Sequence, residues 1–168
     1  MPARYEQLTE FALLNEWKRG AIVGIYDGLV YLYMLNRCPL TTIVGVETWD
    51  KQPPSDNCDC DYCETSRFNV RKRVREQHKA FVFGQSMKLG NAELLNMPSE
   101  AASHRTFKHS LDFVFIERTN NLGADVHVWL DTLRPGGFML GHKTWEPARE
   151  IFESIVVTGD DHLWWIKL

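Results

Sequence analysis

The sequence lacks several features that mark particular classes of protein. Its 168 residues carry a formal net charge of -3, so there is no overall attraction to nucleic acid or to an anionic membrane. No run approaches the roughly 20 apolar residues that a membrane-spanning helix needs. The N-terminal segment MPARYEQLTE also lacks the basic-then-apolar order of a secretion signal. These absences predict a soluble, cytoplasmic protein that does not act in a membrane.

Cysteine is scarce and crowded into one place. Of the four cysteines, Cys58, Cys60 and Cys63 form the pattern C-x-C-x2-C, unlike the dispersed even set of a secreted disulfide scaffold. Structural zinc sites usually join two C-x2-C-like halves. Here the second half is missing, although Cys38 and His78 are candidates for a fourth ligand. Two hypotheses stay open for this loop, a zinc site and a set of thiols that are free or oxidised as a pair.

Short apolar runs alternate with helical patterns along the chain, which predicts an α/β fold. Runs rich in β-branched and aromatic residues predict strands at 21–26, 41–46, 80–84, 111–116 and 138–140. Helical spacing of apolar residues predicts helices at 5–18, 29–35, 67–79, 91–103, 124–133 and 145–152. Strand, helix and strand in sequence imply parallel pairing. The last two runs, 154–158 and 163–168, predict a hairpin that ends the sheet antiparallel.

The length favours one packed domain, since 168 residues are too few for two full α/β domains. We expect a single domain over 1–168, with a Cys-rich loop inserted at 50–66 where Pro, Ser, Asp and Asn replace the apolar periodicity. The helix that follows is basic. Such a helix is ordinarily a solvated face, and the alternative is contact with a phosphate-bearing partner such as nucleic acid.

Polar residues at the predicted strand ends indicate a nucleoside site. A strand, a turn bounded by Gly24 and Gly28, a helix, and a second strand ending in Glu47 follow the layout in which backbone N–H groups meet the ligand and an acid accepts from ribose hydroxyls. The turn has two glycines where a dinucleotide fingerprint has three, and no Walker Lys-Ser/Thr follows it. The pattern therefore favours a mononucleoside-like ligand. The alternative for Glu47 is a solvated strand-end acid.

A second group of polar residues shares the same predicted edge. Glu117 follows the strand at 111–116, and His142-Lys143 follow the next strand. Ligands in such sheets bind beyond the carboxyl ends of the strands. His142 is therefore either a general base or a structural histidine, and Glu117 with Lys143 is either part of the site or an ion pair between two loops.

Several motifs together carry a family resemblance over nearly the whole chain. The strand end GVE at 45–47, FGQS at 83–86, LDFVFIE at 111–117, LRPGG at 133–137 with GH after it, and the closing hairpin resemble class I S-adenosylmethionine-dependent methyltransferases. Among these, the chain is similar to the small O-methyltransferase-like branch. The resemblance implies a Rossmann-like seven-stranded sheet with helices on both faces and an antiparallel C-terminal hairpin. The implied cofactor is S-adenosylmethionine.

The resemblance also implies roles for particular residues. The loop from Gly24 to Gly28 would hold the methionine side of the cofactor, and Glu117 would face the methyl group and the substrate. In the order of the chain, the implied cofactor-binding residues are Gly24, Tyr26, Asp27 and Gly28 of the loop, Glu47 and Thr48 at the ribose, and Gln85 and Ser86 at adenine. The alternative for Gln85-Ser86 is a cap of the next helix.

The chain departs from the family pattern at two informative places. Ile22 stands where an acid is common, and Lys143 replaces the acid that often follows the histidine. Because Mg²⁺ needs several hard oxygen ligands, we expect no Mg²⁺ at this edge and an ion pair between Lys143 and Glu117 instead. His142 would then act as general base, with Lys143 stabilising a developing oxyanion.

The leading hypothesis is a metal-independent methyltransferase that acts on an oxygen or nitrogen acceptor of a small molecule. The first alternative is a catalytically inactive protein of the same fold that binds the cofactor or a partner, which the departures at Ile22 and Lys143 favour. The second is a nucleic-acid-binding module formed by residues 58–79. The sequence gives no indication of oligomeric state.

Overall fold

The computed structural model describes residues 3–49, 68–117, 121–142, 145–158 and 163–168, with the backbone alone at 68–73, 145 and 158. The predicted Cys-rich loop at 50–66, with Cys58, Cys60 and Cys63, lies outside the described residues, and so does Lys143. Within the described residues, no helix has both the length and the apolar character needed to cross a membrane.

Helices and strands alternate along most of the chain. The helices are α1 (Arg4–Leu14), α2 (Leu29–Arg37), α3 (Phe68–Ser86), α4 (Ser99–Arg105), α5 (Leu122–Leu130) and α6 (Trp145–Ile151). The strands are β1 (Arg19–Val23), β2 (Thr42–Glu47), β3 (Ala92–Asn96), β4 (Leu111–Ile116), β5 (Leu133–His142), β6 (Val156–Thr158) and β7 (Leu163–Lys167). This order of elements is the one that places crossover helices between parallel strands.

The strands form one seven-stranded sheet in the order β3-β2-β1-β4-β5-β7-β6. The first five are parallel, and β7 pairs antiparallel with both β5 and β6. This confirms the predicted α/β sheet with an antiparallel C-terminal hairpin. The hairpin covers one edge of the parallel sheet and leaves β3 at the other.

Helices cover both faces of the sheet. Because side chains alternate along each strand, every buried strand contributes to two cores. On one face Ile22, Phe113 and Leu140 join a core made with α1, α2 and α3. On the other face Val23 and Val114 join a core made with α4, α5 and α6. The two cores explain why β1 and β4 read as continuous apolar runs in the sequence.

The structure corrects the prediction for residues 80–103. The segment 80–84 was predicted as a strand but is the last part of α3, whereas 92–96, predicted as helix, is the edge strand β3. A short apolar run does not distinguish a helix from a strand by itself. Here Val82 and Ser86 are buried while Phe81 and Gly84 are exposed, which is helical spacing.

At the amino ends of the strands, Asp112 joins three segments. Its Oδ2 accepts from the backbone N–H groups of Lys18 at 2.6 Å and Arg19 at 2.8 Å. Its Oδ1 accepts from the guanidinium of Arg134 at the start of β5. The carboxylate is nearly buried, with 10% of its side chain exposed. Asp112 therefore fixes the alignment of β1, β4 and β5 at the edge opposite the one where ligands bind in such sheets.

Gly84 offers a direct test of the revised end of α3. It lies in the helix, and an added Cβ would meet no atom within 4 Å. Gly84→Ala should raise the free energy of unfolding by about 0.5–1 kcal/mol, because alanine favours the helix. Gly84→Val should gain less. The opposite ranking in urea denaturation, with valine better than alanine, would indicate a strand here.

Asp112→Ala should lower the free energy of unfolding by about 1.5–3 kcal/mol, since two backbone N–H groups and a guanidinium lose a charged acceptor. Urea denaturation measures this loss. The matched control is Asp131→Ala, which removes an exposed carboxylate paired with Lys108 at 2.8 Å and should leave the unfolding midpoint nearly unchanged. Equal midpoints for the two variants would contradict the role assigned to Asp112.

Candidate functional site at the carboxyl ends of the strands

The carboxyl ends of five neighbouring parallel strands are level with one another. We call this side of the sheet the carboxyl rim. Leu95, Val46, Val23, Ile116 and Gly141 are joined in register across β3, β2, β1, β4 and β5. The next residue along each strand is a member of the carboxyl rim: Asn96, Glu47, Gly24, Glu117 and His142. The structure therefore brings together four residues that the sequence placed at one site, and adds Asn96.

The loop from Gly24 to Gly28 is held against the end of β2. Gly24 N–H donates to the Val46 carbonyl at 2.9 Å, and both glycines have positive φ, +81° and +83°. A Cβ at Gly28 would lie 2.5 Å from Cγ2 of Val82 on α3. Glycine at position 28 is thus required twice, by its backbone conformation and by the close approach of α3.

The carboxylate of Glu47 points toward this loop. Its Oε2 accepts from the backbone N–H of Tyr26, and its Oε1 accepts from that of Thr48, both at 2.8 Å. Trp49 Nε1 donates to the Tyr26 carbonyl at 2.8 Å. Glu47 is only 4% exposed, so these bonds fix both the carboxylate and the loop. A carboxylate oxygen can accept more than one hydrogen bond.

Tyr26 is itself in an uncommon backbone conformation, with φ of +42°. A non-glycine residue in this region is strained unless its surroundings hold it. The bonds to Glu47 and Trp49 do so here. Asp27, by contrast, is exposed, and its Oδ1 accepts from Leu29 N–H at 3.0 Å at the start of α2.

Gln85 and Ser86 do not follow a strand, so the sequence basis for placing them at adenine is wrong. They are in the last turn of α3, where Ser86 is buried and its hydroxyl donates to the Val82 carbonyl at 2.7 Å. After α3, the chain returns to the carboxyl rim at the end of β3, at 96–99. The sequence signal that could have located it is a short segment, 92–96, bounded by Gly90-Asn91 and Pro98.

Glu117 at the end of β4 is paired with a residue that the sequence did not point to. Arg4, the first residue of α1, contacts Glu117 Oε1 through Nη2 at 2.7 Å and Nε at 2.8 Å. The Glu117 side chain is 8% exposed and that of Arg4 27%. A positive charge therefore lies at the acid of β4. Lys143, which was predicted to pair with Glu117, lies outside the described residues.

His142 is the last residue of β5 and is half-buried. The residues before His142 and Glu117, Gly141 and Ile116, are in register. On the other side of β5, His142 is in register with Leu163 of β7. The antiparallel hairpin therefore lies next to the position predicted to hold the general base.

In the described part of the chain, no cluster of three or more His, Cys, Asp or Glu side chains is arranged to hold a metal ion. An open groove of about 480 Å³ lies near the amino ends of β2 and β3. The residues that line it include Leu35, Leu40, Lys88 and Asn91. None of the residues at the carboxyl rim lines this groove.

No protein-family model matches the chain, and no curated protein matches its sequence. Solved structures do match. A Staphylococcus aureus protein described as a caffeoyl-CoA O-methyltransferase aligns with a TM-score of 0.66 and 8% identity over 99% of this chain and 84% of that one. The O-methyltransferase TomG of Streptomyces achromogenes, solved with S-adenosylmethionine, aligns with a TM-score of 0.62 and 12% identity over 98% and 78%.

A spermidine synthase in complex with a transition-state analogue also matches, with a TM-score of 0.61 and 14% identity over 97% of this chain and 58% of that one. Proteins with different chemistry thus share this architecture. Likeness at these identities concerns the fold. The chain has the fold of class I S-adenosylmethionine-dependent methyltransferases, as its motifs predicted.

Proposed function

We propose that the chain is an S-adenosylmethionine-dependent methyltransferase that acts on an oxygen or nitrogen acceptor of a small molecule, without a metal ion at the carboxyl rim. The observation that supports this most is the position of Glu47. Its buried carboxylate is hydrogen-bonded to the loop after β1, where an acid is needed to accept from a ribose.

The proposed cofactor site extends along the carboxyl rim from β1 to β3. The loop with Gly24, Tyr26, Asp27 and Gly28 would surround the methionine end of the cofactor. Glu47 and Thr48 would lie at the ribose. The segment 96–98, rather than Gln85 and Ser86, would lie at adenine, because it follows β3 at the carboxyl rim.

The proposed acceptor site lies beyond β4 and β5. The bound cofactor supplies a methyl group on a sulfonium, which transfers by in-line displacement and requires mainly alignment and a deprotonated acceptor. His142 would remove the proton of the acceptor. Glu117 would face the acceptor and orient it, and Lys143 would stabilise a developing negative charge.

The Arg4–Glu117 pair supports the absence of a metal from this mechanism. A divalent cation at Glu117 would have to displace the guanidinium or bind beside it, and like charges at this separation repel. The sequence already replaces the neighbouring acid by Lys143. Positive side chains would thus provide the charge that a metal ion would otherwise provide.

One observation favours the alternative of an inactive protein that uses the same fold to bind the cofactor or a partner. Both oxygens of Glu47 already accept backbone N–H groups, so this acid has a structural role even without a ligand. A nucleic-acid partner at 58–79 falls mostly outside the described side chains. Zinc at Cys58, Cys60 and Cys63 stays a prediction, for which metal analysis of untagged protein is the test.

Isothermal titration calorimetry with S-adenosylmethionine and S-adenosylhomocysteine tests the cofactor site. We expect saturable binding of both by the unaltered chain. Glu47→Gln should weaken each by about 10- to 150-fold, the loss of about 1.5–3 kcal/mol for a hydrogen bond to a charged group. No saturable binding of either ligand to the unaltered chain would overturn the proposal.

The control for this prediction is Glu93→Gln. Glu93 is an acid on β3, paired with Arg19 at 3.0 Å and three residues before Asn96, on the amino side of the carboxyl rim. This variant should bind both ligands as the unaltered chain does. If Glu47→Gln and Glu93→Gln bind equally well, the ribose assignment is wrong even if the cofactor binds.

A double-mutant cycle tests the pairing at β4. Arg4→Ala and Glu117→Ala should each lower the free energy of unfolding, and the cycle with the double variant should give a coupling of about 1–3 kcal/mol, because the carboxylate is nearly buried. Urea denaturation supplies the four values. Lys108→Ala, which breaks an exposed pair with Asp131, is the control. A coupling near zero would remove Arg4 from the site.

A further inference from the structure

The feature that leads beyond the proposed site is His78 on α3. Its ring meets that of Tyr26 edge to face, with the centroids 5.0 Å apart and the planes at 81°. Its Nδ1 is buried and has no hydrogen-bond partner within the described residues. Tyr26 belongs to the loop that receives the cofactor in the proposed function, so His78 stands directly beside that loop.

A buried ring nitrogen without a partner is unfavourable. Leaving such a group unsatisfied costs about 1–3 kcal/mol, and unpaired polar atoms of this kind usually meet a water, an ion or a ligand. The nitrogen is also held in place. One turn further along α3, Val82 packs on Gly28 so closely that a Cβ there would lie 2.5 Å from it. The position of His78 is therefore set by the packing of α3 on the loop.

The charges around His78 indicate what kind of group would meet it. The inward face of α3 has half-buried Arg75, His78 and Lys79 at helical spacing before buried Val82. The acid in this stretch, Glu76, is exposed on the other face. His78 thus has cationic side chains near it on the same face of α3, while the acids Asp27 and Glu47 on the loop side each accept a backbone N–H. Such a surface favours an anionic ligand group.

We propose that His78 is a ligand-binding residue that determines specificity: its Nδ1–H donates to the carboxylate at the amino-acid end of the bound nucleoside. This inference rests on the proposed function. It adds a residue of α3, outside the loop itself, to those that recognise the amino-acid end of the nucleoside. The unpaired nitrogen of the free protein gains its partner when the ligand binds.

The test compares two ligands and two variants by calorimetry. S-Adenosylhomocysteine carries the amino-acid group, whereas 5′-methylthioadenosine lacks it. His78→Phe keeps a ring against Tyr26 and removes the nitrogen, while His78→Asn keeps a polar atom near the position of Nδ1. We expect His78→Phe to weaken S-adenosylhomocysteine about 10-fold and 5′-methylthioadenosine less than 2-fold. His78→Asn should restore most of the lost affinity.

A measurement on the unaltered chain covers the case in which a variant fails to fold. With ¹⁵N-labelled histidine, the Nδ1 resonance of His78 should shift on addition of S-adenosylhomocysteine and stay unchanged with 5′-methylthioadenosine. The resonances of His127, exposed on α5, serve as the control and should not move with either ligand.

The outcomes separate this inference from the proposed function. If the unaltered chain binds neither ligand, both proposals fail. If it binds S-adenosylhomocysteine, and His78→Phe changes nothing or weakens both ligands equally, then the role of His78 is wrong while the cofactor site stands. A shift of the Nδ1 resonance with 5′-methylthioadenosine would likewise place the contact elsewhere on the nucleoside.

Discussion

The hydrogen bonds from the backbone to Glu47 are the constraint on which the candidate site depends. They join the end of β2 to the loop after β1, and they hold Tyr26 at a φ of +42°. Because the carboxylate is nearly buried, its charge is balanced largely by these N–H donors rather than by water. The same arrangement shapes the loop and, in the proposed function, presents an acidic acceptor to the hydroxyl groups of a ribose.

The two ends of the sheet differ in the way they use acids. At the amino ends, Asp112 accepts from two backbone N–H groups and a guanidinium and so aligns three strands. At the carboxyl rim, Glu47 and Glu117 are also held by donors, but they stand where ligands bind in parallel sheets. Arg4 links α1 to this end, so a helix that covers the core also contributes a charge to the candidate site.

The sequence predicts most of the fold because strongly buried strands leave a clear pattern. The run at 111–116 has the bounds of β4, and Glu47 falls at the end of β2 as the spacing requires. The edge strand β3 was missed because it is only half-buried along its length, so its side chains need not be apolar. Arg4 carried no signal of its own, and His78 was singled out only as a candidate zinc ligand. Their importance comes from contacts with residues more than 50 positions away in the chain, which no local pattern contains.

The most direct test of the account is an amide NMR titration of the unaltered chain with S-adenosylhomocysteine. The account predicts chemical-shift changes that cluster at 24–28, 47–49 and 96–99, at the carboxyl ends of β1, β2 and β3. Residues at the opposite edge, such as Asn91 and Thr132, should not respond. Changes centred on the groove beside Leu40 and Lys88, or no changes at saturating ligand, would contradict the central claim that the carboxyl rim is a nucleoside site.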